Sequence, residues 1–184
     1  MIKKPNTIIV MKVGPHSDMS LEEIILSKQE EEKIHGVHYW GYSGVFCQPN
    51  PTQNFCKQSK QEFHEAPTLI LIETKSSYTS NIGMINQYSE DNVTYKKFQA
   101  PVQLQGAQFS FVAKNIRIID HFNIDDYVVV GGKNDQKPLS QHLKFRVNKC
   151  FGRLNKEKTL MKEKTIKVIA ADIVEPYAIW LKDS

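Results

Sequence analysis

Cysteine is scarce in this chain of 184 residues. Cys47, Cys56 and Cys150 are odd in number and widely spaced, which excludes a disulfide framework and points to free thiols in a reducing cytosol. Cys47 and Cys56 also lack the close pairing of a zinc knuckle, so no metal is expected. No apolar run approaches the roughly 20 residues of a membrane-spanning helix. Lysines precede the apolar run Thr7–Val13, as in a signal peptide. That run is short, contains Lys12 and has no small-residue cleavage site, so it reads as a buried first strand. Also absent are a nucleophile elbow, a Walker loop, a dinucleotide glycine fingerprint and a zinc-protease helix. Gly131-Gly132-Lys133 lacks the spacing and the hydroxyl residue of a phosphate loop and reads as a turn. No cofactor is indicated.

What remains is ordinary in bulk and uneven in detail. A hydrophobic fraction of 40% and a charged fraction of 24% describe a soluble, cytoplasmic globular protein. The length suits a single domain, with a βαβ-like part over about 1–75 and a β-rich part over about 84–184. Residues 1–100 carry 10 Lys/Arg against 11 Asp/Glu, whereas residues 101–184 carry 14 against 9. The excess concentrates between Lys137 and Lys167, where ten basic residues meet only Glu157 and Glu163. A stretch of that density suits a polyanionic partner, either nucleic acid or an acidic protein.

The expected fold is α/β or α+β: a mixed sheet with an N-terminal βαβ(α)β unit, then antiparallel strands and one later helix. Thr7–Val13 reads as a strand buried on both faces. Ser20 and Glu23 have the spacing of a capping box, and Gly36 stands where a helix C-cap belongs, which predicts a helix over about Leu21–His35. Leu21, Ile24, Ile25 and Ile34 would face the core and Glu30–Glu32 water. Val37–Cys47 reads as a second strand, with His38, Trp40 and Tyr42 on one face and Val37, Tyr39 and Gly41 on the other. Pro49 and Pro51 end it, and Thr52 caps a helix over about Gln53–His64. Thr68–Thr74 is a third buried strand, and the alternation predicts three parallel strands. Ile85–Ser89 and Val93–Phe98 form a hairpin, and Phe109–Ile119 and Tyr127–Val130 are strands. Leu139, Leu143, Val147, Cys150 and Phe151 lie on one face of a helix over about Leu139–Phe151. Thr165–Ile173 and Tyr177–Leu181 close the chain as two strands around Pro176.

Three parallel strands would bring their following loops to one edge, where open α/β sheets bind ligands. His16, Ser43, Cys47 and Lys75 would meet there, with Cys47 as nucleophile and His16 as its base. Trp40 and Tyr42 are candidate stacking residues for a ligand. Lys144, Arg146, Lys149 and Arg153 are the candidate contacts for a polyanion. The leading functional expectation is therefore a binding protein for nucleic acid or another polyanion. A small-molecule enzyme with a Cys/His site, and a protein-interaction module such as an inhibitor or adaptor, are the alternatives.

Overall fold

The computed structural model describes residues 3–14, 19–74, 82–144, 147–157 and 164–182. It is a mixed α/β fold on one sheet of nine strands, with strand-helix-strand units at the front and one short later helix. The strands are β1 Thr7–Val13, β2 His38–Tyr42, β3 Thr68–Glu73, β4 Ile82–Ser89, β5 Tyr95–Gln105, β6 Phe109–Asn123, β7 Tyr127–Val129, β8 Lys149–Leu154 and β9 Thr165–Lys182. The helices are α1 Leu21–His35, α2 Pro49–Phe63 and the single turn α3 Leu139–His142. The sheet runs β2-β6-β9-β3-β1-β8-β7, with the β4–β5 hairpin branching from β9.

β1 sits between β3 and β8, and its alternating side chains face two different clusters. Ile9, Met11 and Val13 join the first, together with Leu69 and Leu71 of β3 and Phe55 and Cys56 of α2. Ile8 and Val10 join the second, which also takes residues from β3, β6, β7, β9 and α3. A cluster fed from both β6 and β7, five places apart in the strand order, requires the sheet to curl. A 3-10 turn, Ile124–Asp126, returns the chain between them, and Phe122 stacks on Tyr127 at 5.5 Å. The third cluster lies under the hairpin, built from Tyr39, Ile85, Val102, Leu104, Val112 and Ile179.

The parallel prediction holds for β1 and β3 alone. β3 and β6 both run antiparallel to β9, and β2 runs antiparallel to β6. β2 therefore opposes β1 and β3 and lies on the far side of β9 from them. Long-range pairing with β6 decides this, and local alternation carries no information about it. The expected long later helix is also shorter: after α3, residues 149–154 form β8, pairing β1 on one side and β7 on the other. Cys150 and Phe151 suit either period in the sequence. Gly152 lets β8 lie close against β1, since an added Cβ there would stand 2.9 Å from Ile8 Cγ1. The prolines at positions 49 and 51 start α2 instead of merely ending β2, as expected for rings tolerated in a first helical turn. β9 runs through Pro176 as a single strand, its pairing with β6 skipping from Ile173 to Ala178.

α1 begins with the predicted capping box and ends at Gly36 with φ 75°. Its inward stripe changes character halfway along. Leu21, Ile24 and Ile25 pack on the first cluster, whereas Lys28, Glu31 and Glu32 turn toward β2. Ile34, expected inside, is exposed. The reason lies in the unpaired edge of β2: Glu31 Oε1 accepts from Tyr39 N at 2.6 Å, and Lys28 Nζ donates to Tyr39 O. The two side chains supply the donor and acceptor that a neighbouring strand would have provided. Lys28 also lies over the Trp40 ring, 5.1 Å from its centroid.

Replacing Lys28 by Met leaves the half-buried Glu31 carboxylate without its cation and the buried Tyr39 carbonyl without its donor. Lys28→Met is expected to destabilise the fold by about 3 kcal/mol, read as a lower urea midpoint at unchanged slope. A loss below about 0.5 kcal/mol, the level of an exposed pair, would mean that β2 does not depend on it.

Candidate functional site

The aromatic stretch at the front of the chain divides into a buried half and an exposed half. In β2, Trp40 and Tyr42 point into the first cluster and are 2% and 6% exposed. Tyr42 stacks on Phe111 with centroids 4.3 Å apart. Neither ring can receive a ligand, which corrects their assignment as stacking residues; two-residue alternation brought them to the same face, and that face is the core. His38 is fully buried, with Nδ1 3.2 Å from Glu32 Oε2. Burial, followed by the charge of Lys28, pushes its pKa down to about 3, so it is neutral at physiological pH.

The loop between β2 and α2, residues 43–48, is held from several directions. Ser43 Oγ donates to Gly106 O at 3.1 Å and accepts from Gln108 N at 3.2 Å. Ser43 O accepts from Lys149 Nζ at 3.0 Å, and Gln48 Nε2 donates to Gly44 O at 3.2 Å. At the other end, Cys47 O accepts from Tyr42 Oη at 2.5 Å and from Thr52 Oγ1 at 2.7 Å. Two residues with positive φ, Gly44 at 97° and Cys47 at 56°, bend the backbone. Between these anchors Val45 and Phe46 project into water, 77% and 56% exposed. Thr52 thus acts from within α2 and does not cap it.

Lys149 is the link between this loop and the sheet. It opens β8 opposite Met11 of β1, is 8% exposed, and lies 5.3 Å from the Tyr42 ring centroid. Burial lowers its pKa, opposed by the neighbouring Cys47. Its predicted role as a polyanion contact is therefore corrected: the ammonium is occupied inside the protein.

The thiols have the wrong surroundings for a nucleophile, which needs access and a lowered pKa. Cys47, Cys56 and Cys150 are all buried and unbonded. Burial pushes Cys47 and Cys56 well above the usual thiol range and Cys150 up to about 12. Lys149 opposes this at Cys47 without reversing it. His16, the expected base, and Lys75 lie outside the described residues, as does Arg146.

The remaining basic residues divide between two places. Arg153 forms a two-pronged contact with Glu62, at 3.0 and 3.3 Å, near the start of β1. Lys156 lies over Phe63, 5.9 Å from its centroid. Lys144 follows α3 and is exposed, and Lys164 and Lys167 stand exposed at the start of β9. The pairing of Ile169 with Leu71 sets that start beside the end of β3, where Glu73 is the exposed carboxylate. Lys12, near the end of β1, donates to Leu143 O, one residue before Lys144. His142 is held below its ordinary pKa by burial first, then by Lys137 and Lys12.

A separate shallow groove of about 450 Å³ is lined by Gln29, Glu32, Lys33, Asn115 and Ile116. Its carboxylate is already engaged, because Glu32 accepts from Asn115 N where β6 shifts register against β9. Asn115 in turn donates through Nδ2 to Asp172, which Arg117 also contacts at 2.9 Å. These contacts brace a bulge. Among the described residues no group of three His, Cys, Asp or Glu is placed to hold a metal ion, and no helix is long and apolar enough to cross a membrane.

The burial of the thiols has a direct readout. In the folded protein all three cysteines are expected to react with an aromatic disulfide reagent only at the rate of unfolding, and promptly in denaturant. Fast, selective labelling of Cys47 under native conditions would reverse this reading. Comparisons with known protein families, curated proteins and solved structures find no match to this chain.

Proposed function

We propose that the protein binds a polyanion, nucleic acid in the first instance, at the end of the sheet where β1 and β3 finish and β8 and β9 begin. The observation that carries this reading is the surroundings of His142. Lys12 Nζ donates to Leu143 O beside it, and burial first, then Lys137 and Lys12, hold His142 below its ordinary pKa. Lys144 is exposed beside them and forms no ion pair among the described residues. Lys164 and Lys167, also without an ion pair there, stand across the strand ends. These cations come from segments far apart in sequence, at one end of the sheet, where Glu73 stands level with Lys167. The basic run between Lys137 and Lys167 contributes only part of this surface, since Lys149 is internal and Arg153 is paired with Glu62.

Burial of the thiols gives no support to a Cys47 nucleophile. A protein-interaction module would need a contiguous exposed apolar patch, and the exposed apolar side chains are spread over α1, the β2–α2 loop, the hairpin and β6.

Fluorescence anisotropy with a short labelled single strand tests the proposal between about 50 and 200 mM salt. Affinity is expected to fall linearly on logarithmic axes. Reversing Lys144, Lys164 and Lys167 together to Glu is expected to reduce the slope by about 2 and to weaken binding at least tenfold at low salt. Reversal of Lys96 and Lys97 on β5 is the control and should have little effect. Binding indifferent to salt, or to the triple reversal, would overturn the reading.

A further inference from the structure

Resting on that reading, we infer that His142 itself contacts the polyanion, meeting a phosphate as an imidazolium, so that binding at this corner takes up a proton. The fold places the ring among lysines from separate segments. Lys12 Nζ, from β1, donates to Leu143 O at 2.5 Å, the carbonyl of the residue after His142. His142 N donates to Pro138 O at 3.2 Å, which sets Pro138, and Lys137 before it, one helical turn back. Lys144 follows two residues later and is exposed. Neither Lys137 nor Lys144 forms an ion pair among the described residues. Leu139 and Leu143 turn into the second cluster, while His142, between them in sequence, stays half-buried.

The carboxylates nearby are engaged elsewhere or face away. α3 packs on β7 and on the 3-10 turn, and reaches β1 through Lys12. The turn carries Asp125 and Asp126, and Lys4 holds Asp126 at 2.6 Å. Asp135, ahead of α3, accepts from Gly131 N at 2.7 Å. Glu73 of β3 has the parity of Leu69 and Leu71, which point into the first cluster, away from Lys12. Burial keeps the two other titratable groups on these strands, Tyr127 of β7 and Cys150 of β8, in their neutral forms. The charges that act on His142 are those of Lys137 and Lys12, and both oppose its protonation.

A phosphate seated among these lysines reverses that field. The imidazolium, unlike the neutral ring, offers it a positive charge and an N–H donor at both nitrogens. The ring's pKa is then higher in the complex than in the free protein. Between the two values the complex holds a proton that the free protein lacks. Affinity therefore rises as pH falls through that interval and levels off below it.

The test measures affinity for a short labelled oligothymidylate, whose phosphodiesters stay ionised throughout, at fixed salt from about pH 8 to about pH 5.5. Wild-type affinity is expected to rise by about 3- to 10-fold as pH falls. His142→Gln should flatten that dependence, and His142→Lys should be equally flat but tighter than His142→Gln throughout. Thermal unfolding at each pH checks that the variants fold. In the wild type, an NMR titration of the His142 ring protons should give a higher midpoint with the oligonucleotide than without it. A midpoint that stays or falls on binding, wild-type affinity indifferent to pH, or a dependence that His142→Gln keeps in full would each overturn this inference. All three leave the polyanion reading intact, because binding is still observed. Wild type that binds the oligonucleotide at no pH removes both.

Discussion

The pairing of β6 with β9 is the constraint on which the other elements rest. β9 is 18 residues long and meets β3, β4 and β6 along its length. It also contributes to every hydrophobic cluster. Val168 and Ala170 go to the second, Ile169, Ala171 and Ile173 to the first, and Ile179 to the third. A regular strand offers only two faces. Three become possible because the register against β6 shifts between Phe111 and Ala113 and again between Lys114 and Arg117. The first shift lies opposite Pro176, which gives no N–H to a ladder, and the second is where Glu32 accepts from Asn115 N. Bulges so placed bend one sheet around separate cores, and β2, which pairs only with the first residues of β6, is carried away from β1.

That bend marks the boundary of what the chain reveals when read locally. β1, α1 and β3 are legible because their signals are short in range: continuous apolar runs, a capping box at Ser20 and Glu23, and a glycine at the helix end. The two faces of β2 are legible for the same reason, since alternation sets them once the strand exists. The direction of β2 is not, because its partner lies some seventy residues downstream. β8 was obscured by a coincidence of periods, with Leu139, Leu143 and Cys150 fitting a helix as well as they fit a turn followed by a strand. The inward stripe of α1 shows a third kind of opacity. Lys28 and Glu31 occupy inward positions while being polar, and the edge they serve is absent from the helix's own sequence.

The candidate site follows the same division. Composition located the positive charge, and folding sorted it into what is internal and what is available. Lys149 and Arg153 lie four residues apart, yet one is buried against Ser43 and Tyr42 while the other faces Glu62 across a strand end. Trp40 and Tyr42 drew attention as aromatics, and their size and apolarity are what took them into the core. Gly44 before Phe46 and Pro49 after it mark a strand that ends early. Two apolar residues in a segment flanked by turn formers are not continuing a strand, and their side chains have no sheet face to occupy.

Lys149 shows the same division in energetic terms. Its ammonium is removed from water, which is costly, and its return is one carbonyl contact and the face of Tyr42. A hydrophobic residue would fill that volume with less penalty, but it would leave Ser43 O without its donor and the 43–48 loop attached to the sheet only through Gly106, Gln108 and the Cys47 carbonyl. The buried cation therefore does little for the core that an apolar side chain would not do. What it contributes is position: it ties the strand end that bears the cations to the loop that bears the exposed ring.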